Sequence, residues 1–153
     1  MRASEPSPVE GDLPYVDEHR VLVSAPAPAV WRALADHLAH PRRPAGAYAH
    51  LVAADPRRTS GQLLDEGATV PGFAVADVVP EQSVRLAGRH LFSRYALVLT
   101  LEAQPDGTLL SARTYAEFPG LHGRAYRVLV IGSGAHRVMV GRILRDVRRR
   151  AES

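Results

Sequence analysis

Residues 21–34 read VLVSAPAPAVWRAL, and this stretch decides the fold of the chain. From Tyr15 to Val23, β-branched and aromatic residues interleave with charges, which predicts a strand. Pro26 and Pro28 then suit the first turn of a helix, where the backbone N–H that proline lacks would be unpaired in any case. Ser24 is a residue type that caps helices. Apolar residues recur downstream at helical spacing: Val30, Trp31, Leu34 and Leu38. We predict a helix that ends near His40.

Beyond the first helix, the spacing of apolar residues changes twice along the chain. After Gly61, short runs divided by Gly and Pro predict an antiparallel meander. Its strands are expected near Gln62–Leu64, Phe73–Val79, Ser83–His90, Arg94–Ala103 and Leu109–Phe118. From Leu121 to Arg150 the period becomes helical, interrupted at Gly132-Ser133-Gly134 because each glycine costs about 1 kcal/mol relative to alanine in a helix interior. We predict an α+β domain over residues 15–150 after a disordered lead-in, residues 1–14.

Composition excludes several classes of chemistry. The 153 residues include no cysteine, which rules out disulfides, thiolate catalysis and thiolate metal sites. No apolar run approaches the roughly 20 residues of a membrane span, and the N-terminus lacks a signal core. We therefore expect a cytoplasmic protein. No phosphate-cradling loop, nucleophile elbow or dinucleotide fingerprint is present, so no cofactor is predicted. His37 and His40 lack an evident third ligand, so no metal site is predicted.

The basic charge is concentrated at the C-terminal end. The net charge is +3, and all 19 basic residues are arginine. Residues 120–153 carry eight of them beside two acids. A nucleic-acid binder would present a basic face with aromatic or helix-turn-helix context, which is missing. We therefore favour a solvated helix face over a phosphate-binding surface and predict no nucleic-acid partner.

Three segments resemble the START-like superfamily, also called SRPBCC, which includes pollen allergens, lipid-transfer domains and polyketide cyclases. They are residues 21–34, 88–97 (GRHLFSRYAL) and 118–126 (FPGLHGRAY), and the last two resemble an uncharacterised bacterial branch. The resemblance implies a helix-grip fold: a curved antiparallel sheet wrapped around a long C-terminal helix, with a cavity between them for an apolar ligand. The tryptophan that often follows the first helix in cyclase-like members is missing.

Strand alternation indicates which side chains face such a cavity. In the strand at 83–90, Leu86 and His90 share one face, and Arg85 and Arg89 share the other. Because arginine prefers water, His90 is expected to face inward. Along the C-terminal helix, an apolar stripe is predicted at fixed helical spacing: Ala125, Val128, Leu129, Ala135, Met139, Ile143 and Val147.

The hairpin that follows allows two registers. A three-residue loop with Gly107 left-handed would place Leu99 opposite Arg113 and turn that arginine inward, as an anion anchor. A two-residue Asp106-Gly107 turn would place Leu99 opposite Thr114, and Arg113 outside. A shift of one residue exchanges the faces of the whole strand. We favour the second register, because burying an unpartnered arginine is expensive.

The candidate ligand-binding residues are inward-facing or aromatic: Phe73, Leu86, His90, Tyr95, Leu97, Leu99, Thr114, Phe118, Tyr126 and His136. His90 is also a candidate general acid or base, since the histidine pKa lies near operating pH, or else a hydrogen-bonded core residue. His136 could hydrogen-bond a ligand, or serve only the core.

Three functions are compatible with these features. The favoured one is non-enzymatic binding or carriage of a small apolar molecule, lipid- or polyketide-like, in the internal cavity. The second is a polyketide cyclase/dehydrase-like enzyme that uses the same cavity. The third is an interaction domain whose cavity is filled by its own side chains, with the arginine-rich helix facing an acidic partner. A homodimer is compatible with each.

Overall fold

A computed structural model describes residues 13–39, 69–70, 73–90, 93–128 and 134–153. The predicted strand at 62–64 and most of the predicted lead-in lie outside these residues. In the part described, six strands form one antiparallel sheet in the order β1-β6-β5-β4-β3-β2. The strands are β1 (Tyr15–Val23), β2 (Thr69–Val70), β3 (Phe73–Val79), β4 (Ser83–His90), β5 (Ser93–Gln104) and β6 (Gly107–Glu117). The helices are α1 (Ala27–Ala39), α2 (Gly120–Arg127) and α3 (Ala135–Glu152).

The predicted α+β order is confirmed. The predicted limits of β1, β3 and β4 agree with the observed ones. The helix break is also confirmed: α2 ends at Arg127, and α3 begins after Gly134, whose φ is 80°. Ser24 does not cap α1, because the first helical N–H bonds reach the carbonyl oxygen of Pro26.

One face of the sheet carries the core. Both α1 and α3 pack against it, and α3 also contacts α1 and β1. The core cluster combines this face with one stripe from each helix. Its largest fully buried side chains include Leu34, Leu86, Leu99, Leu110, Val30, Val140 and Val147. We call this the inner face, and the opposite one the outer face.

The buried stripe of α3 differs from the predicted one. Val147 is buried as predicted, but Val140 and Leu144 are buried in place of Met139, which is 49% exposed. The helix is therefore rotated by about one residue relative to the prediction, at 100° per residue. A stripe through Met139 and Ile143 would also have carried Arg150 into the packed face, and burying that cation would be costly.

The hairpin between β5 and β6 follows neither predicted register. Gln104 pairs with Gly107, so the two-residue turn is Pro105-Asp106, and Leu99 lies opposite Ala112. The pairing is offset by two residues from the favoured alternative, which leaves each side chain on its predicted face. Thr114 therefore faces inward, and Arg113 faces outward.

The turn lies one residue earlier than the predicted Asp106-Gly107 turn, because Gly107 is needed as the first residue of β6. Gly107 has a φ of 147°, and a Cβ at this position would lie 2.0 Å from the carbonyl oxygen of Val23. Only glycine permits such an approach. The next residue, Thr108, is fully buried and donates its hydroxyl hydrogen to the carbonyl oxygen of Ala25, at 2.8 Å. These contacts join the hairpin turn to the corner between β1 and α1.

Two further observations differ from expectation. Leu13 is 8% exposed, and the carbonyl oxygen of Pro14 accepts the N–H of Ala116 at 2.9 Å. The packed part of the chain thus begins no later than Leu13. Arg85 lies on the outer face as predicted but is not solvated, since it is only 6% exposed. None of the described helices is both long and apolar enough to cross a membrane.

Candidate functional site

A polar cluster interrupts the apolar inner face. Its members are Asp17 and His19 on β1, Thr114 on β6, and His136 in the first turn of α3. Strand pairing places Asp17 opposite Thr114, after an irregularity that leaves Tyr15 opposite Tyr115. The core residues Val21 and Val23 lie further along the same face of β1. The cluster is therefore built where β1, β6 and α3 meet.

The carboxylate of Asp17 lies between two imidazoles. Its Oδ2 is 3.0 Å from Nε2 of His19, and its Oδ1 is 3.3 Å from Nε2 of His136. The same Nε2 of His136 is 3.1 Å from Oγ1 of Thr114. His136 is thus held by groups on two different strands.

These contacts assign the histidine tautomers. An ionised carboxylate only accepts hydrogen bonds, so the Nε2 of His19 and of His136 must each donate to Asp17. In the neutral ring, Nδ1 then keeps its lone pair and can accept a proton or a hydrogen bond. A histidine oriented by a carboxylate in this way has the arrangement used in general acid–base catalysis.

The cluster lies at the boundary of the core. His136 is 9% exposed and Thr114 is 6% exposed, while the side chains of Asp17 and His19 are about a quarter exposed. A polar group buried among apolar neighbours strengthens its hydrogen bonds, because water does not compete for them. The cluster therefore has two buried members, His136 and Thr114, and two members that solvent partly reaches, Asp17 and His19.

The structure divides the predicted ligand-binding residues into three sets. Thr114 and His136 are in contact, and Leu97 lies directly opposite Thr114 on β5. Leu86 and Leu99 are at most 1% exposed and pack in the core. A ligand could reach these two leucines only by displacing their neighbours.

The third set is aromatic. Tyr95, Phe118 and Tyr126 are half-buried, and the rings of Phe118 and Tyr126 lie 6.3 Å apart. The side chains of Phe73 and His90 lie outside the described residues. The backbone of His90 ends β4 opposite Ser93. A catalytic role for His90 remains a prediction.

The sequence reasoning missed Asp17 and His19. Alternation already places both on the face of Val21 and Val23, so an inward orientation could have been read from the strand. Their meeting with His136 required the helix phase and the β1–β6 register, which the pattern did not determine. Within the described ranges, no group of three or more His, Asp or Glu side chains could hold a metal ion.

The arginine-rich surface lies elsewhere. It is the solvent-facing side of α3, where a shallow pocket is lined by Arg142, Arg145, Asp146, Arg148, Arg149 and Glu152. Arg149 pairs with Asp146, and Arg148 pairs with Glu152. Part of the positive charge of this helix is therefore neutralised by its own acids.

The antiparallel sheet, whose inner face packs against a long C-terminal helix, has the helix-grip fold, which solved aromatase/cyclase structures share. The Zhui aromatase/cyclase from Streptomyces sp. R1128 is similar to this chain with a TM-score of 0.60 at 16% identity, over 92% of this chain and 94% of that one. The di-domain ARO/CYC StfQ of the steffimycin biosynthetic pathway gives a TM-score of 0.57 at 16% identity, over 93% of this chain and 50% of that one.

A further similar structure is protein CV1439 from Chromobacterium violaceum, with a TM-score of 0.57 at 13% identity, over 90% of this chain and 96% of that one. At these identities the likeness establishes the fold, and one fold hosts many functions. No protein-family profile matches the chain. No curated protein matches it either.

Proposed function

We propose that this protein binds a small apolar molecule that carries a polar oxygen, at the end of the inner face where Leu97 borders Thr114 and His136. The observation that carries the proposal is the Asp17–His136–Thr114 cluster on an otherwise apolar face. Ligand sites are typically apolar with a few placed polar groups that fix orientation.

The surroundings suit a flat, hydrophobic ligand. Leu97 supplies apolar surface beside Thr114, and Tyr95 lies on the same face of β5. Phe118, just after β6, and Tyr126, on α2, supply aromatic surface from two rings whose centroids lie 6.3 Å apart. We infer that the ligand lies on the Tyr95 side of Leu97, because Leu99 and Leu86, which pairs directly with Leu97, are already packed by protein. The resemblance to aromatase/cyclases supports an aromatic or polyketide-like ligand.

The first test is mass spectrometry of the purified protein, native and then denatured. A defined adduct that is lost on denaturation would support a working pocket and give the ligand's mass. Naphthalene and 2-naphthol provide a second, defined test, because they differ by one hydroxyl. Wild type should prefer 2-naphthol, and Thr114→Val and His136→Phe should remove that preference.

A matched control keeps the second test specific. Glu18 follows Asp17 in the chain but lies on the outer face, where it pairs with Arg20 and Arg113. Glu18→Gln should therefore bind both compounds as wild type does. If Thr114→Val and His136→Phe keep the hydroxyl preference as Glu18→Gln does, the polar cluster does not contact the ligand and the proposal fails.

A second candidate is a cyclase-like enzyme that uses the same space. It is favoured by the Asp17–His136 pair, since a carboxylate that holds Nε2–H leaves Nδ1 free to take a proton from a substrate carbon or hydroxyl. Asp17→Asn should then lower the rate of cyclisation of a poly-β-keto substrate by about 100-fold or more. The affinity for 2-naphthol should fall much less than the rate of cyclisation. A binding protein would show no turnover with either form.

A further inference from the structure

The outer face of the sheet contains a buried arginine. Arg85 lies in the middle of β4, opposite Asp77 on β3 and Val98 on β5. Its neighbours along the strand, Val84 and Leu86, point to the inner face and are fully buried there. Arg85 therefore belongs to the opposite side of the sheet from the polar cluster.

The guanidinium of Arg85 lacks hydrogen bonds at two nitrogens. Arg85 is only 6% exposed, and its Nε and Nη2 are buried with no hydrogen-bond partner among the residues that the structure describes. Nε and Nη2 form one edge of the planar guanidinium. Their two parallel N–H groups match the two oxygens of a carboxylate or a phosphate.

The described carboxylates on the outer face do not accept hydrogen bonds from Nε and Nη2 of Arg85. Asp77 lies directly across from Arg85, but it is exposed and forms no ion pair with it. On the same outer face, Glu18 is held by Arg20 and Arg113, which together keep its pKa below the usual value. Glu117 pairs with Arg94 at 3.3 Å.

A buried cation without a partner is strongly unfavourable, and removing such a charge commonly stabilises a protein. Burial of this guanidinium becomes favourable when an anion accepts hydrogen bonds from both Nε and Nη2. We propose that the Nε/Nη2 edge of Arg85 is a binding site for an oxyanion, of the carboxylate or phosphate class, on the outer face of the sheet. This site is independent of the inner-face ligand site.

The test follows thermal unfolding of the full chain while inorganic phosphate or acetate is added at constant ionic strength. At least one of the two anions should raise the Tm of wild type in a saturable way, because a ligand that binds only the folded state stabilises it. The more effective anion indicates whether phosphate or carboxylate is the preferred class. Arg85→Met should weaken the apparent affinity about tenfold or more, since two charge-assisted hydrogen bonds are lost.

Arg94→Met is the matched control. It removes an exposed arginine from the outer face of the adjacent strand and should leave the anion response unchanged. In the absence of anion, Arg85→Met should be at least as stable as wild type, because it removes an unpartnered buried charge.

Two results would overturn the proposal. One is a wild-type Tm that neither anion changes, whatever the stability of Arg85→Met; a clearly less stable Arg85→Met would then mean that the chain itself satisfies the guanidinium. The other is an equal anion response in wild type and Arg85→Met. If Arg85→Met does not fold, NMR of the wild-type arginine Nε–H groups decides: phosphate or acetate must shift the Arg85 signal and not that of Arg94.

Discussion

Oδ1 of Asp17 lies 3.3 Å from Nε2 of His136, so a carboxylate at the start of the first strand is joined to the first turn of the last helix. The two residues approach because α3 packs across β1. The contact links the candidate ligand site to the attachment of α3.

The first prediction concerns this link. Asp17→Asn should lower the free energy of unfolding by about 1–3 kcal/mol, because His19 and His136 lose a charged hydrogen-bond partner. Urea unfolding at neutral pH measures it. Glu18→Gln, which changes an acid of the same strand on the outer face, should cost less than about 1 kcal/mol, as exposed ion pairs do. Equal losses in the two variants would contradict the assignment.

The second prediction compares two glycines. Gly107→Ala should destabilise by about 2 kcal/mol or more, because the new Cβ would meet the carbonyl oxygen of Val23 and the φ of 147° is strained for alanine. At Gly141, in the interior of α3, an added Cβ meets nothing within 4 Å. Gly141→Ala should therefore stabilise by about 0.5–1 kcal/mol. Chemical denaturation of both variants checks the opposite signs.

The third prediction tests the buried hydroxyl of Thr108. Thr108→Val keeps the shape but leaves the carbonyl oxygen of Ala25 without its donor, which should cost about 1–3 kcal/mol. Thr108→Ser keeps the hydroxyl and loses only a methyl group, so it should cost about 1 kcal/mol. If the serine variant is the less stable of the two, packing and not hydrogen bonding holds this corner.

The fourth prediction is a pH dependence. The backbone N–H of Ser24, and then Arg148, hold the pKa of Glu152 below its usual value of 4.5. A lowered pKa in the folded state contributes stability above the unfolded value, and that stability is lost as the pH falls through the folded value. Glu152→Gln should therefore be less stable than wild type at pH 7 and indistinguishable at about pH 2. A difference that persists in acid would assign the effect to packing.

Much of the fold could be predicted from the sequence because its signals are local. Alternation in β1 and β4 and the glycines before α3 are read within a few residues, and the described parts of these elements agree with the structure. The hairpin turn was predicted one residue too late, since the contact of Gly107 with Val23 comes from a distant segment. The phase of α3 was misjudged for a similar reason: Met139 and Val140 are both apolar, and only packing selects between them.

The candidate site was predictable only in part. Thr114 and His136 were identified from their faces, but Asp17 was treated as one of the charges of a strand pattern. Its role depends on pairing with Thr114 and on the position of His136, both far away in the sequence. Arg85 was expected to be solvated because arginine usually is. Nothing in the local pattern indicated its burial.

The pairing of β1 with β6 has a consequence for synthesis of the protein. Val23, at the end of the first strand, pairs with Thr108, so the first strand has to wait for most of the chain to leave the ribosome. Until then its apolar residues and free backbone groups are open to other chains, a state that favours aggregation. We therefore expect slow folding, and a yield that depends on chaperones more than the stability of the finished domain would indicate.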